Sequence, residues 1–194
     1  MSIKINFKNH ISNKSSANIV LFTDERFNVK PLKKYISNFE FSYVSDLLKT
    51  SDLSKNLFVF EINAKKKIVL VSIKKNLNSF NIENLGAEFY ERINYGKNTE
   101  YYLLPESIGN RNQNFIDHFL HGIKLKSYKF EKYKTKKKIR IIYVNIIGNK
   151  NGSLKKKLLK FNALEEGIFY ARDLVSEPGN ILHPDEYAKR IKSL

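Results

Sequence analysis

The residue types best suited to chemistry lie in the second half of the chain. Eight lysines fall between Lys124 and Lys138 with one acid, Glu131, and Tyr128, Phe130 and Tyr133 are interleaved among them. Lysines mixed with aromatic rings can follow a phosphate backbone while bases stack on the rings. Lys129, Lys132, Lys134, Lys136, Lys137 and Lys138 are the contacts that such a nucleic-acid module would use. The alternation in Ser127–Lys132 equally describes a half-buried strand, rings inward and charges outward. That account needs no partner and is favoured. A second group is His118 and His121, three residues apart on a helical pattern with Asp117 adjacent. The spacing suits a metal ion, but no third ligand is evident, and partly buried or surface side chains are favoured. His10 and His183 have no evident partners. The turn Gly148-Asn149-Lys150-Asn151-Gly152-Ser153 opens a helix whose free amides can receive an anion. It lacks the Gly-Lys-Ser/Thr ending of a phosphate loop, so Ser153 is read as an N-cap. No catalytic residue and no metal-ligand set is assigned within the chain.

Short β-branched and aromatic runs must carry these groups. Asn18–Thr23, Leu57–Ile62, Lys67–Ile73, Tyr101–Leu104 and Ile139–Ile147 read as buried strands. Lys65-Lys66-Lys67 is a tight polar link, predicting a hairpin at one sheet edge. Helical spacing lies between the strands. A short helix is read at Pro31–Phe39 (Leu32, Tyr35, Ile36, Phe39), and a turn or short helix capped by Ser45 runs through Leu47 and Leu48. Ile82–Tyr95, with Leu85, Phe89 and Ile93 in line, stops at Gly96. Asn114–Lys124 follows with Phe115, Ile116, Phe119, Leu120 and Ile123. Strands alternating with helices predict an α/β fold with a mixed, mainly parallel sheet flanked by helices. After the turn at 148–152 a long helix is predicted from Leu154 to about Val175. Its stripe is Leu158, Phe161, Leu164, Ile168, Ala171, Leu174 and Val175, and its length is roughly 33 Å at 1.5 Å per residue. Ser176-Glu177-Pro178-Gly179-Asn180 ends it, and His183-Pro184-Asp185-Glu186 starts another helix with proline and acids in its first turn.

Composition narrows the classes. The 194 residues hold 35 Lys+Arg against 19 Asp+Glu, a net charge of +16, yet only 6 of the basic residues are arginine. Lys, Asn and Ile, whose codons are A/T-rich, make up 72 residues. Phosphate and base recognition favours the planar fork of arginine, so the surplus reads as a solvated lysine-rich surface. The absence of cysteine excludes disulfide scaffolds, cysteine zinc sites and thiol nucleophiles. No apolar run approaches the ~20 residues of a membrane span, and the first residues lack a signal-like apolar core. A cytoplasmic protein without membrane partners is expected.

Two segments carry a resemblance. Ala171-Arg172-Asp173-Leu174-Val175-Ser176-Glu177-Pro178-Gly179-Asn180-Ile181-Leu182-His183-Pro184 is similar to the stretch joining the two domains of the leucyl aminopeptidase (cytosol aminopeptidase) family. Gly122-Ile123-Lys124-Leu125-Lys126-Ser127-Tyr128-Lys129-Phe130-Glu131-Lys132-Tyr133-Lys134 resembles that family's Gly-x-x-Leu-x-Ser-Tyr-x-Phe-x-x-Tyr-Lys stretch. Ser176 stands where the family usually has Asn, and Gly179 where it often has Pro or Ala. The resemblance implies a macro-domain-like N-terminal domain over residues 1–150, a connector helix and turn over 151–180, and the start of a C-terminal metallopeptidase domain at 181–194. It makes Tyr128, Phe130, Tyr133, Lys134, Ala171, Arg172, Asp173, Pro178, Asn180 and Pro184 structural motif residues. In the family a two-metal site, manganese or zinc, hydrolyses N-terminal residues from peptides, and members form hexamers. The motifs supplying those ligands lie beyond Pro184, and the chain stops ten residues later. The expectation is therefore a non-catalytic fragment, inactive alone, that serves assembly and access to an active site in a missing catalytic domain. The alternative is the nucleic-acid module at Lys124–Lys138. A nucleotide ligand suggested by the macro-like fold is analogy only.

Overall fold

Strand β2 (Asn18–Asp24) has Ile19, Val20, Leu21 and Phe22 all buried, as a strand covered on both faces must. It pairs in parallel with β4 (Lys66–Ile73) on one side and β5 (Glu100–Leu103) on the other. Beyond β5 lie β6 (Ile142–Ile147) and then β1 (Ile3–Lys8), both parallel. β3 (Leu57–Asn63), antiparallel to β4, closes the opposite edge. The result is a six-stranded sheet in the order β1-β6-β5-β2-β4-β3, mixed and mainly parallel as expected. The predicted edge hairpin is present: Asn63 Oδ1 accepts from the amides of Lys65 and Lys66 at 2.8 and 2.9 Å. Buried Asn18 ties three strands together, its amide donating to the Glu100 carbonyl and its oxygen accepting from the Lys67 amide.

One face of the sheet carries α2 (Ser79–Ile93), α3 (Phe115–Ser127) and α4 (Asn151–Ser176). Phe22 meets Phe115 and Phe119 edge-on, at 5.4 and 5.6 Å between centroids. α2 and α3 cross at two glycines: a Cβ on Gly122 would lie 2.0 Å from the Glu83 carbonyl oxygen, and one on Gly86 2.1 Å from that of Phe119. The other face carries a 3-10 turn (Lys30–Leu32) and α1 (Asn38–Lys49), which cover Ile19, Leu21, Ile68 and Leu70 with Leu32, Val44 and Leu48. α1 begins in a capping box: Ser37 Oγ accepts from the Glu40 amide and the Glu40 carboxylate from the Ser37 amide. The other Glu40 oxygen meets Lys66 Nζ at 2.6 Å, and both residues are buried. Burial pushes the Glu40 carboxyl up, but the Lys66 and Ser37 hydrogen bonds outweigh it and hold the group below its ordinary range.

The structure, a computed structural model, describes residues 3–12, 16–95, 99–109, 114–135, 140–148 and 151–194. Gly96, Lys136, Lys137, Lys138 and Ile139, singled out above, lie outside them. Four expectations are corrected here, and one strand is added. Pro31–Phe39 is not a helix: the 3-10 turn ends at Leu32, and the Ser37 capping box starts α1 only at Asn38. Ser45 lies within α1, its hydroxyl buried without a partner. Ser127–Lys132 is not a strand; Ser127 ends α3, and residues 128–131 carry no regular structure. α4 begins at Asn151, so Ser153 is inside the helix and not its cap. β1 was not anticipated, although Ile3, Ile5 and Phe7 alternate with Lys4, Asn6 and Lys8.

Candidate functional site at the connector helix

The 26-residue α4 packs on α3 through a face that is only partly apolar. Leu158, Phe161, Asn162, Glu165, Phe169 and Arg172 recur at helical spacing and are buried or half-buried. The stripe expected from apolar residues alone is therefore misplaced in part: Leu164 is 47% and Val175 87% exposed, and Ala171 is also exposed. Glu165 replaces them at the contact. It is 2% exposed, with one oxygen 3.0 Å from His121 Nδ1 and the other 2.7 Å from Lys124 Nζ. Lys124 also donates to Asn162 Oδ1 at 2.6 Å.

Further along, the two family-like segments meet. Arg172 donates to the Leu125 carbonyl at 2.7 Å, satisfying one of the unpaired acceptors at the end of α3. Its guanidinium lies over the Tyr128 ring, which stacks on Phe169 at 5.4 Å. The Tyr128 hydroxyl donates to Asp173 at 2.7 Å, and burial followed by that carboxylate pushes the phenol above its ordinary range. Tyr128 turned onto α4 gives this segment a buried ring without a strand. Phe130 is half-buried and meets Tyr133 edge-on.

α4 ends at Ser176, and the Pro178 carbonyl accepts from the amides of Ile181 and Leu182. Asn180 is exposed, His183 stands at the N-cap of α5 (Pro184–Lys192), and Pro184 takes its first position. The turn is closed by Glu177, whose side chain is 1% exposed. Its carboxylate accepts from Lys132 and Tyr133, and from Arg190 of α5 at 3.1 Å. Those hydrogen bonds, Lys132 first, hold the carboxyl at about 2. Arg190 also pairs with Glu186, and Tyr170 donates to the Arg190 carbonyl. One carboxylate thus fastens the loop after α3, the end of α4 and α5 together. A depressed carboxyl stabilises above its unfolded value and loses that contribution as pH falls. The protection of the α5 amides, relative to their intrinsic exchange at each pH, is accordingly expected to fall as pH drops from about 4.5 towards about 2, and to be lower at neutral pH in Glu177→Gln. Unchanged exchange in the variant would refute the clasp. Nothing in the sequence marked Glu177 except its place in a quoted motif, because its partners are 13 and 45 residues away.

The other candidates resolve as follows. The described lysines of the basic segment largely face acids: Lys124 pairs with Glu165, Lys126 with Glu91, Lys132 with Glu177, and Lys134 lies 3.6 Å from Glu131. Lys129 is exposed. His118 bonds Glu83 of α2, not Asp117, through Nδ1 at 3.0 Å. His121 bonds Glu165 of α4, so the two histidines turn one ring nitrogen each to different helices. His10 is exposed. Among the described residues no three His, Cys, Asp or Glu side chains are grouped to hold a metal ion. The donor set that a two-metal peptidase centre needs is not met by these residues.

No family model matches the chain. A probable cytosol aminopeptidase of Nitrobacter winogradskyi is 40% identical over 78 residues, 38% of this chain and 16% of that protein. One from Rhodopseudomonas palustris strain BisA53 is 30% identical over 134 residues, 66% of this chain and 27% of that protein. A tomato leucine aminopeptidase variant shares the fold with a TM-score of 0.76 at 16% identity, over 98% of this chain and 41% of that one. The chain is similar to the N-terminal part of the cytosol aminopeptidases. The matched part spans well under a third of those curated relatives. The bottromycin maturation enzyme BotP, solved in complex with Mn, shares the fold at TM-score 0.63 and 12% identity, over 92% of this chain and 36% of that one. These structural likenesses to a leucine aminopeptidase and BotP establish the fold and leave the activity to the chemistry of the site.

Proposed function

We propose that this chain acts as the non-catalytic N-terminal domain of a metal-dependent leucyl aminopeptidase, an exopeptidase of the cytoplasm that releases N-terminal amino acids from peptides. Residues 1–150 would form the domain, 151–180 the connector and 181–194 the lead-in to a catalytic domain that carries two divalent metals. Its work would be assembly, as hexamers, and shaping access to the active centre. The observation supporting this reading is the joint at Glu177. A connector held by Lys132, Tyr133 and Arg190 leaves the domain at a set angle, which is what a module that positions another domain requires. Two arms test it. The purified 194-residue chain, given leucine p-nitroanilide and Mn²⁺, is expected to show no turnover above the protein-free control, and turnover would overturn the non-catalytic role. Replacing the equivalent N-terminal part of the Nitrobacter winogradskyi enzyme by residues 1–180 is expected to give an assembled, Mn²⁺-dependent peptidase. A chimera that folds but neither assembles nor turns over would count against the reading.

A further inference from the structure

The two edges of the sheet are unlike. β1 carries Lys4 and Lys8, the kind of charge that keeps an open edge from pairing with another chain. β3 reads Leu57-Phe58-Val59-Phe60-Glu61-Ile62-Asn63, without lysine or proline. Its one irregularity falls between Glu61 and Asn63 and leaves residues 57–61 in regular register. Among the described residues no strand lies beyond it. The Ser72 amide donates to the Asn56 carbonyl at 2.8 Å, so Asn56 and Ser72 are a hydrogen-bonded pair, and such pairs alternate along an antiparallel ladder. Phe58 and Phe60 therefore bond to β4, while the amides and carbonyls of Leu57, Val59 and Glu61 point away from it. Two contacts agree with this assignment. The Lys67 amide, opposite Glu61, turns to Asn18 of β2, and the Glu61 carbonyl is met from outside by the Tyr43 hydroxyl of α1 at 3.5 Å.

Apolar side chains flank this edge on both faces. Leu57 and Val59 belong to the core under α2 and α3, and Phe58, Phe60 and Ile62 to the core under α1. On α1, Phe39, Tyr43 and Leu47 recur every four residues and are 71, 38 and 37% exposed. Tyr43 sets that stripe beside β3. We infer that β3 pairs antiparallel with β3 of a second copy of this chain, across a two-fold axis at Val59. In that register Val59 faces Val59, Leu57 faces Glu61 and Phe58 faces Phe60. The outward pairs each exchange two hydrogen bonds, and the aromatic pair is of the kind that stabilises sheets. The charges suit the register. Glu61 never meets its own copy, and Lys55 of each chain comes diagonal to Glu61 of the other. The same patch serves both copies, so the contact closes on itself, and both outer edges of the joined sheets are then the lysine-bearing β1. A strand of another protein would make similar backbone bonds; the matching of rings and charges about Val59 favours a second copy. The contact gives the assembly role proposed above a surface but rests on the β3 edge and the α1 stripe alone.

Sedimentation of the full chain is expected to show a reversible dimer with a dissociation constant of about 10 μM, in keeping with a contact near the lower limit of specific interfaces, about 1,200 Å². Phe39→Lys with Tyr43→Lys changes exposed side chains and gathers like charges around the axis. It is expected to weaken the dimer about tenfold or more. Val175→Lys with Leu194→Lys, at positions 87 and 83% exposed, removes apolar surface elsewhere and is expected to change little. The chain has no cysteine, so single cysteines report the register. Val59→Cys, on the axis with Cα atoms about 5.5 Å apart, is expected to form a disulfide-linked dimer on mild oxidation. Glu61→Cys lies four residues from its counterpart, about 13 Å along the strand, and is not. A chain that stays monomeric up to about 1 mM, equal weakening by both lysine pairs, or equal cross-linking of both cysteine variants would overturn the pairing. None of these outcomes touches the turnover tests of the proposed function, which stand or fall on the peptidase assays.

Discussion

Gly122→Ala is expected to lower the melting temperature by about 6–12 °C, the shift that about 3 kcal/mol produces in a chain of this size. The added methyl would sit 2.0 Å from the Glu83 carbonyl oxygen and within 2.7 Å of two more backbone atoms of α2. Backbone cannot rotate away as a side chain can, so α2 and α3 must separate. Separation unseats Phe89, Phe119 and Ile123, all fully buried. Overpacking in cores usually costs about 1–3 kcal/mol and more when backbone is displaced. The helical preference for alanine returns about 1 kcal/mol of the cost. Gly167→Ala provides the contrast. There the added Cβ meets nothing within 4 Å, and a gain of about 0.5–1 kcal/mol is expected. Thermal melts of the two variants side by side check the pair; a neutral Gly122→Ala would refute the close crossing.

The second large effect belongs to Lys66. With Lys66→Met, Glu40 stays buried without its cation, and breaking a buried pair from one side costs about 3–5 kcal/mol. The dependence on pH should change as well as the magnitude. In the natural chain the Glu40 carboxyl is held low, so its contribution is present above the unfolded value near 4.5 and is lost as pH falls. Without Lys66, burial dominates and raises the carboxyl, which then destabilises increasingly as pH rises. Urea unfolding of the variant from about pH 4 to about pH 7 should therefore show a slope from this group of opposite sign to that of the natural chain. A parallel offset between the two curves would show that Glu40 does not depend on Lys66.

The sheet was largely legible in the sequence because its strands are continuous apolar runs, and the edge hairpin because three lysines interrupt two such runs. α2 and α3 were legible from their spacing, to within three residues at each end. Patterning failed where period two and irregular chain look alike. Ser127–Lys132 alternates as well as Ile3–Lys8 does, but the first lays Tyr128 on Phe169 of α4 while the second pairs with β6. α1 was obscured because its capping box uses Ser37 and a buried glutamate, a residue that binary patterning assigns to the surface. The same blindness hid the joint to the connector. Glu165, Arg172 and Glu177 are charged, and only their partners on α3, on the loop after it and on α5 show that they face inward. The motif resemblance located both halves of that joint without indicating that they touch.

The placement of β1 at the far edge of the sheet has a consequence for synthesis. Its partner β6 lies some 139 residues later, as the Asn6–Asn145 hydrogen bond marks. On the ribosome β1 therefore emerges long before the strand it must join. Until then its alternating Ile3, Ile5 and Phe7 have no apolar cover from β6, and its backbone edge is open to other chains. Domains form as units during translation, and this one cannot close until residue 147 has left the exit tunnel, by which time α4 is being made. Lys4 and Lys8, on the other face of β1, keep the waiting strand charged and so guard it against pairing with a neighbour.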